Sequence, residues 1–370
     1  VAIPQGGVAQ GALDELAERG AEEGVDLAPG LELVETRLRE LVRADLALVE
    51  ETSRYLIDAG GKRFRPMLVL LAGLHGGVEP TARDLVDAGA IVELVHLSTL
   101  YHDDVIDAAD VRRGADAAHV KWSNTTAILT GDFLLARASE LSAELGVEVT
   151  KVMARTIADL CTGQIREVQG SASGQDHGMP TVAADTAHYR AVLGEKTASL
   201  IASSCRLGAL LSGQPREAVE VLTTYGWHLG LSFQLADDVL DIVGDEEEAG
   251  KSPGTDLREG VKTMPVLLAL EDDPTGELAR LVDVAAAEPD EDDGPTAAEV
   301  DEALARALRH LRGSPAMERA RDEARLEARR AVMALTELPE FTATAEGADS
   351  DLVTGRGLLA LADYAVDRLV

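Results

Sequence analysis

Two aspartate clusters, each closing an apolar helical run, constrain this chain more than any other feature. In the first, ELVHLSTLYHDDVIDAADVRRG (93–114), Leu94, Val95, Leu97 and Leu100 follow Ile91 at helical rather than alternating spacing. That spacing predicts a mostly buried helix arriving at Asp103, Asp104 and Asp107. Asp103 and Asp107 then project from one helix face a single turn apart, where two bare carboxylates repel. Either this is a solvated acidic helix end or a cation resolves the conflict. The second cluster, GLSFQLADDVLD (230–241), repeats the spacing with Asp237, Asp238 and Asp241, and sets Gln234 one turn before Asp238. The repetition favours the cation, and two such helices facing each other would grip two or three ions from both sides.

All-oxygen ligands without thiols or a clustered His pair suit Mg²⁺ rather than Zn²⁺. A Mg²⁺ held by few carboxylates takes its other ligands from water and substrate phosphates. Just beyond Asp107 stand Arg112 and Arg113, forked donors suited to phosphate oxygens. Metal and arginines together describe a seat for a diphosphate. GGKRFRP (60–66) gathers Lys62, Arg63 and Arg65 in one corner, with Gly60 and Gly61 permitting a turn of positive φ and Pro66 placed to open the next helix. It is a basic surface loop or a phosphate site at a helix N-terminus. Lys196 and Thr197 lie in an Ala-, Leu- and Ser-rich helical segment, where a lysine either snorkels to water or needs a partner.

The periodicity elsewhere is helical too, and no stretch is a convincing strand, so the expected fold is all-α. Helices are expected over 31–55, 66–74, 125–145, 147–169, 189–211, from Pro265, over 299–335 with a break at 313–315, and over 358–370. Residues 1–30, rich in Gly, Ala and Glu, read as a loose tail, and 31–370 as a single domain. Within it, 271–299 carries EDDP and EPDEDDGP and reads as an exposed acidic linker or insertion. An apolar content of 46% with only 3% aromatics makes Leu, Val and Ala the core formers. The formal charge of −32 argues against nucleic acid and against docking on anionic lipid. Cys161 and Cys205 give no disulfide or zinc pattern and read as buried structural thiols, which fits a reducing cytoplasm. No apolar run is long enough to span a membrane, and the N-terminus lacks a basic-then-apolar leader pattern. There is no nucleophile elbow, Walker loop or dinucleotide turn. Paired carboxylates with separated cations suit a reaction whose difficulty is charge separation.

GGKRFRP, HDDVID with RRG, LTGD, GEKTASL, FQLADDVLD and GKSPGTD with KTMP occur in the order found in trans-isoprenyl diphosphate synthases. Over roughly Leu41 to Leu270 plus the C-terminal helices, the chain resembles that polyprenyl synthase family, in its long-chain form. The resemblance implies an isoprenoid synthase-type helical bundle around a deep central cavity, usually a homodimer. Its expected activity is condensation of an allylic diphosphate with isopentenyl diphosphate through ionisation, coupling and proton loss, with the departing diphosphate as base.

Carried over by motif, Asp103, Asp107 and Asp237 would ligate Mg²⁺, with Asp104, Asp238 and Asp241 orienting the cluster and its water. Arg112, Lys196 and Lys262 would bind the allylic diphosphate, with Lys251 close by. Lys62, Arg65, His96 and Arg113 would hold isopentenyl diphosphate. His96 lies two turns before Asp103 on nearly the same helix face, although alone it would read as a core histidine. Thr197 and Gln234 would line the reacting carbon. Ser98 and Thr99, small residues where bulky ones shorten the product in that family, imply a medium or long all-trans chain of about seven to ten isoprene units, of quinone side-chain type and suited to transfer to a membrane, with a farnesyl or geranylgeranyl product as the alternative. Phe133, Leu134 and Leu135 are alternative cavity floors. A terpene cyclase would not need the second diphosphate corner, and a non-catalytic subunit of a heteromeric synthase would usually lack one aspartate cluster.

Overall fold

Apolar residues at three- and four-residue spacing along most of a chain have one economical solution, helix packed on helix, and the computed structural model takes it. It describes residues 26–170, 185–244, 253–287, 289, 294–338 and 349–367. In chain order the first elements are α1 (Ala28–Leu41), α2 (Ala47–Asp58), α3 (Phe64–His75) and α4 (Arg83–Ile106). A two-residue hairpin follows, β1 (Val111–Arg112) with β2 (Ala115–Asp116), paired antiparallel with Arg112 opposite Ala115. Then come α5 (Ala118–Lys121), α6 (Asn124–Leu145), α7 (Val147–Gly170), α8 (Thr186–Leu193), a π-helical turn (Gly194–Ala198) and α9 (Ser199–Leu211). The remainder is α10 (Arg216–Val243), α11 (Thr255–Arg258), α12 (Met264–Asp272), α13 (Glu277–Ala285), α14 (Ala297–Arg312), α15 (Pro315–Leu335) and α16 (Asp349–Asp367).

Contacts divide the chain into two units. One comprises Val1–Ala158, Ser199–Trp227 and Arg330–Ala362. Its organising element is α4, buried on nearly every face from Leu85 to Asp104 and packed by α1, α3, α6 and α9. Each fully buried Leu, Ile or Val contributes roughly 1.5–3 kcal/mol. Leu85, Ile91, Leu94, Val95 and Leu97 therefore hold the aspartate-bearing end of α4 in a fixed place. The other unit comprises Asp159–Ala198, His228–Arg329 and Asp363–Val370. Its core joins Tyr189, Leu235, Val239, Met264, Leu281 and Leu304.

Several expectations are corrected. The first helix starts at Ala28, inside the stretch read as tail, because buried Gly30, Val34 and Leu38 share its inner face. Helix α3 begins at Phe64, with Arg63 in a left-handed conformation as its N-cap, so Pro66 lies within the first turn. The hairpin departs from a strandless reading. Much of the supposed acidic linker is core: α13 buries Leu278, Leu281, Val282 and Ala285, and Thr296 and Glu299 form a capping box that starts α14. Acid-rich composition masked an amphipathic stripe. The 147–170 helix, the break at 313–314 and the helix at Pro265 are as expected.

The two cysteines also differ. Cys205 is enclosed by α9's packing, whereas Cys161 is exposed on α7, contrary to expectation. Burial pushes the Cys205 thiol up to about 12. Ellman's reagent at mildly alkaline pH is expected to titrate one thiol per native chain and both after denaturation. Two fast thiols in the native protein would contradict the packing of α9.

Candidate active site

In the first unit, the last turn of α4 buries Asp103 and Asp104, and Asp107 caps the helix. Asp104, 0% exposed, accepts a hydrogen bond from Arg112 Nε at 2.5 Å. Burial pushes its carboxyl above the usual range, against the pull of the Arg112 guanidinium. The hairpin turns at Arg113 and Gly114, both at positive φ, so its two arginines part company. Arg112 reaches back to Asp104, while Arg113 donates to the carbonyls of Leu56, at 2.7 Å, and Gly60.

Arg113 thereby joins the corner made by GGKRFRP. Gly60 and Gly61 take positive φ there, as the sequence demands. Buried Glu93, on α4, accepts from Arg63 Nη1 at 2.7 Å and lies 3.9 Å from Arg113. Arg63 also grips Glu35 and the Ile57 carbonyl, so it is a strut of the corner. Arg65 is buried, and its Nε has no hydrogen-bond partner among the described residues. Burial lowers its guanidinium to about 10, with Glu93 opposing and Arg113 assisting the shift. His96 is pushed well below its ordinary pKa, by burial first and then by Arg65, Arg113 and Arg63, leaving a neutral imidazole. Lys62 is half-buried on the same loop. Cations gathered in one enclosed corner suit an anionic ligand.

In the second unit, α10 presents Asp237, Asp238 and Asp241. Asp238, 1% exposed, accepts from the Tyr189 hydroxyl at 2.9 Å and the Met264 amide at 3.4 Å. Burial, and then Asp256, push its carboxyl well above the usual range. Asp241 accepts from the amides of Thr255, at 3.2 Å, and Asp256, at 3.4 Å, tying down the start of α11. Thr197 donates to Gln234 Oε1 at 3.3 Å. Lys196 is neither snorkelling nor unpaired, since it forms an ion pair with Glu167. Lys262 stands 3.5 Å from Asp283 and lines a small recess with Glu167, Tyr189, Val192 and Val261. Lys251 lies outside the described residues.

Among the described residues no three His, Cys, Asp or Glu side chains form a ready metal cage. A Mg²⁺ bound with a diphosphate asks for less, one or two carboxylates at a time. The donors fit: they are carboxylates throughout, and Asp104 Oδ2 is buried with no hydrogen-bond partner among the described residues. Of the residues expected to set product length, Ser98 is fully enclosed and Thr99 half-buried, its hydroxyl bonded to the His96 carbonyl. Leu134 is fully buried, and Phe133 and Leu135 are half-buried.

Sequence reasoning missed Glu93, Tyr189 and the service of Glu167 to Lys196. Tyr189 lies two helical turns before Lys196, and Glu93 one turn before His96, spacings that offered the only local signal.

The family described as "Polyprenyl synthetase" matches residues 46–299. The chain belongs to that family. It is 42% identical over 337 residues to a nonaprenyl diphosphate synthase of Mycobacterium tuberculosis (strain ATCC 25618 / H37Rv), covering 91% of this chain and 90% of the relative. It is 41% identical over 248 residues to heptaprenyl diphosphate synthase component 2 of Geobacillus stearothermophilus, covering 67% and 74%. A polyprenyl synthase from Caulobacter crescentus CB15, complexed with calcium and isoprenyl diphosphate, superposes with a TM-score of 0.78 at 31% identity, over 97% and 98% of the two chains. The all-α isoprenoid synthase fold of this family is thus the fold of the chain. No helix among the described residues is long and apolar enough to cross a membrane.

Asp238 carries a raised pKa, so the folded state favours its proton. Its cost to stability is absent below the ordinary carboxylate range, grows as pH rises from that range to the raised value and is constant above it. With metal chelated, D238N is expected to melt above the wild type at alkaline pH by about 1 kcal/mol or more, the gap closing as pH falls. A gap that widens on acidification would reverse the sign and contradict the buried-acid assignment.

Proposed function

We propose that this prenyltransferase-family chain extends an allylic diphosphate with successive isopentenyl diphosphates, releasing diphosphate and making a medium- or long-chain all-trans product. Its likeness to a nonaprenyl diphosphate synthase over nine-tenths of both chains, with both aspartate clusters intact, carries this reading.

Asp103, Asp107 and Asp237 would hold Mg²⁺, with Asp104, Asp238 and Asp241 fixing their helix ends. Bound there, the metal neutralises the charge that gathers on the leaving diphosphate. Lys196 and Lys262 bind the allylic diphosphate, each drawn from its present carboxylate partner towards a stronger anion; Lys251 belongs with them by motif. Arg112 steadies Asp104 and offers its remaining donors to the same diphosphate. Lys62, Arg65, His96 and Arg113 seat isopentenyl diphosphate in the basic corner. The neutral His96 ring can present an N–H donor to a phosphate oxygen at no charge-burial cost. Thr197 and Gln234 turn oxygens towards positive charge on the reacting carbon. Ser98 and Thr99 leave room for a growing chain.

Purified chain supplied with labelled isopentenyl diphosphate and an allylic primer, with Mg²⁺ or with chelator, tests the proposal. Chromatography of the dephosphorylated products should show roughly seven to ten isoprene units, the length being set by cavity size, and no product under chelation. A product ending at farnesyl or geranylgeranyl length would refute the long-chain part. Turnover without a divalent ion would refute the metal.

A further inference from the structure

Three consecutive side chains of the π turn are each tied to a partner on another helix. Glu195 receives a two-pronged ion pair from Arg166 on α7, with Nε to Oε2 at 2.9 Å and Nη2 to Oε1 at 3.0 Å. Lys196 pairs with Glu167, the next residue of α7, and Thr197 bonds to Gln234 on α10. The two facing segments therefore read Arg-Glu against Glu-Lys. Slide one of them by a single residue and like charges meet, Arg166 with Lys196 or Glu167 with Glu195. The order of signs admits one register, the device by which charge patterns exclude wrong pairings elsewhere in proteins.

A register lock has a purpose here because a π turn is an irregular backbone that surrounding contacts must hold. Helix α7 runs hard against it: a Cβ on Gly163 would stand 2.6 Å from the Lys196 amide nitrogen and 2.9 Å from Glu195 Cβ. The Arg166 and Glu195 side chains are 35% and 24% exposed, so the pair adds little to global stability. What a forked guanidinium–carboxylate pair supplies is direction.

We propose that Arg166 and Glu195 are a positioning pair that fixes the register of the π turn and so aims Lys196 at the allylic diphosphate and Thr197 at the reacting carbon. This rests on the prenyl-transfer reading above. Neither residue touches substrate; both act through their neighbours on the turn.

E195Q keeps the shape of the side chain and removes its charge. Its kcat is expected to fall about tenfold, while KM for isopentenyl diphosphate stays within about twofold because that corner is built on other helices. R166E sets two carboxylates together and should fall further; R166E/E195R restores the opposite pair in the native register and should do better than R166E, yet stay about fivefold or more below wild type, because two glutamates facing two cations no longer exclude a slid register. A second readout is independent of turnover: calorimetric affinity for inorganic diphosphate with Mg²⁺ should weaken about tenfold in E195Q and, in the exchanged variant, recover above R166E but short of wild type. Unchanged kcat and diphosphate affinity in E195Q, or an exchanged variant no better than R166E, would overturn the positioning role. If circular dichroism shows a variant unfolded, R166K, which keeps the charge without the fork, decides by the same two readouts: a loss in both supports the role, and none overturns it. A wild-type chain that makes no prenyl product fails the underlying reading and is recognised before any variant is compared, whereas the diphosphate titration still decides the role of the pair.

Discussion

Two buried carboxylates anchor the ends of the two aspartate helices. Asp104 and Asp238 are the second acids of the two clusters, and each is buried against a donor that the protein itself provides. For Asp104 the donor is Arg112, folded back by a two-residue hairpin. For Asp238 it is the Tyr189 hydroxyl with the Met264 amide. An ionised group in such a place is expensive, and in both cases burial raises the carboxyl pKa. In the proposed function that anchoring has a use: with the second acid fixed, the first acid of each cluster, Asp103 or Asp237, would meet a cation from a defined helix end.

The basic corner obeys the same logic with the charges inverted. Arg63 is consumed by Glu35, Glu93 and the Ile57 carbonyl, which makes it scaffold despite its place in the motif. Arg65 is left with a guanidinium donor in reserve and His96 with a neutral ring, and burial before all else lowers the pKa of both. Lys196, by contrast, rests on Glu167. A lysine so paired can be exchanged to a diphosphate without ever being buried bare.

The helices were legible in the sequence because burial leaves a periodic trace: α4, α6, α7 and the pair α14 and α15 fall close to where apolar spacing put them. The turn at Gly60 and Gly61 was legible because positive φ selects glycine. The α13 stripe was equally present in Leu278, Leu281, Val282 and Ala285, but surrounding acids, Pro and Gly outweighed it. Motif order nominated the site residues, yet could not say which of them the protein pairs within itself. That Arg112 serves Asp104, that Tyr189 serves Asp238 and that a π turn carries Lys196 are facts of tertiary pairing, which no one-dimensional pattern encodes. Exposure of Cys161 is likewise a matter of which face of α7 lies open, and a single residue type does not report it.

The central claim of the proposed function is that the first aspartate of each cluster, Asp103 and Asp237, binds divalent metal with a diphosphate, while the second, Asp104 and Asp238, holds its helix end ready. Calorimetric titration of a non-reactive allylic thiodiphosphate, with and without Mg²⁺, into the wild type, D103N and D237N tests it most directly. The account predicts Mg²⁺-dependent binding to the wild type that is weakened at least about tenfold in D103N and likewise in D237N. Wild-type, metal-dependent affinity in either variant would contradict it.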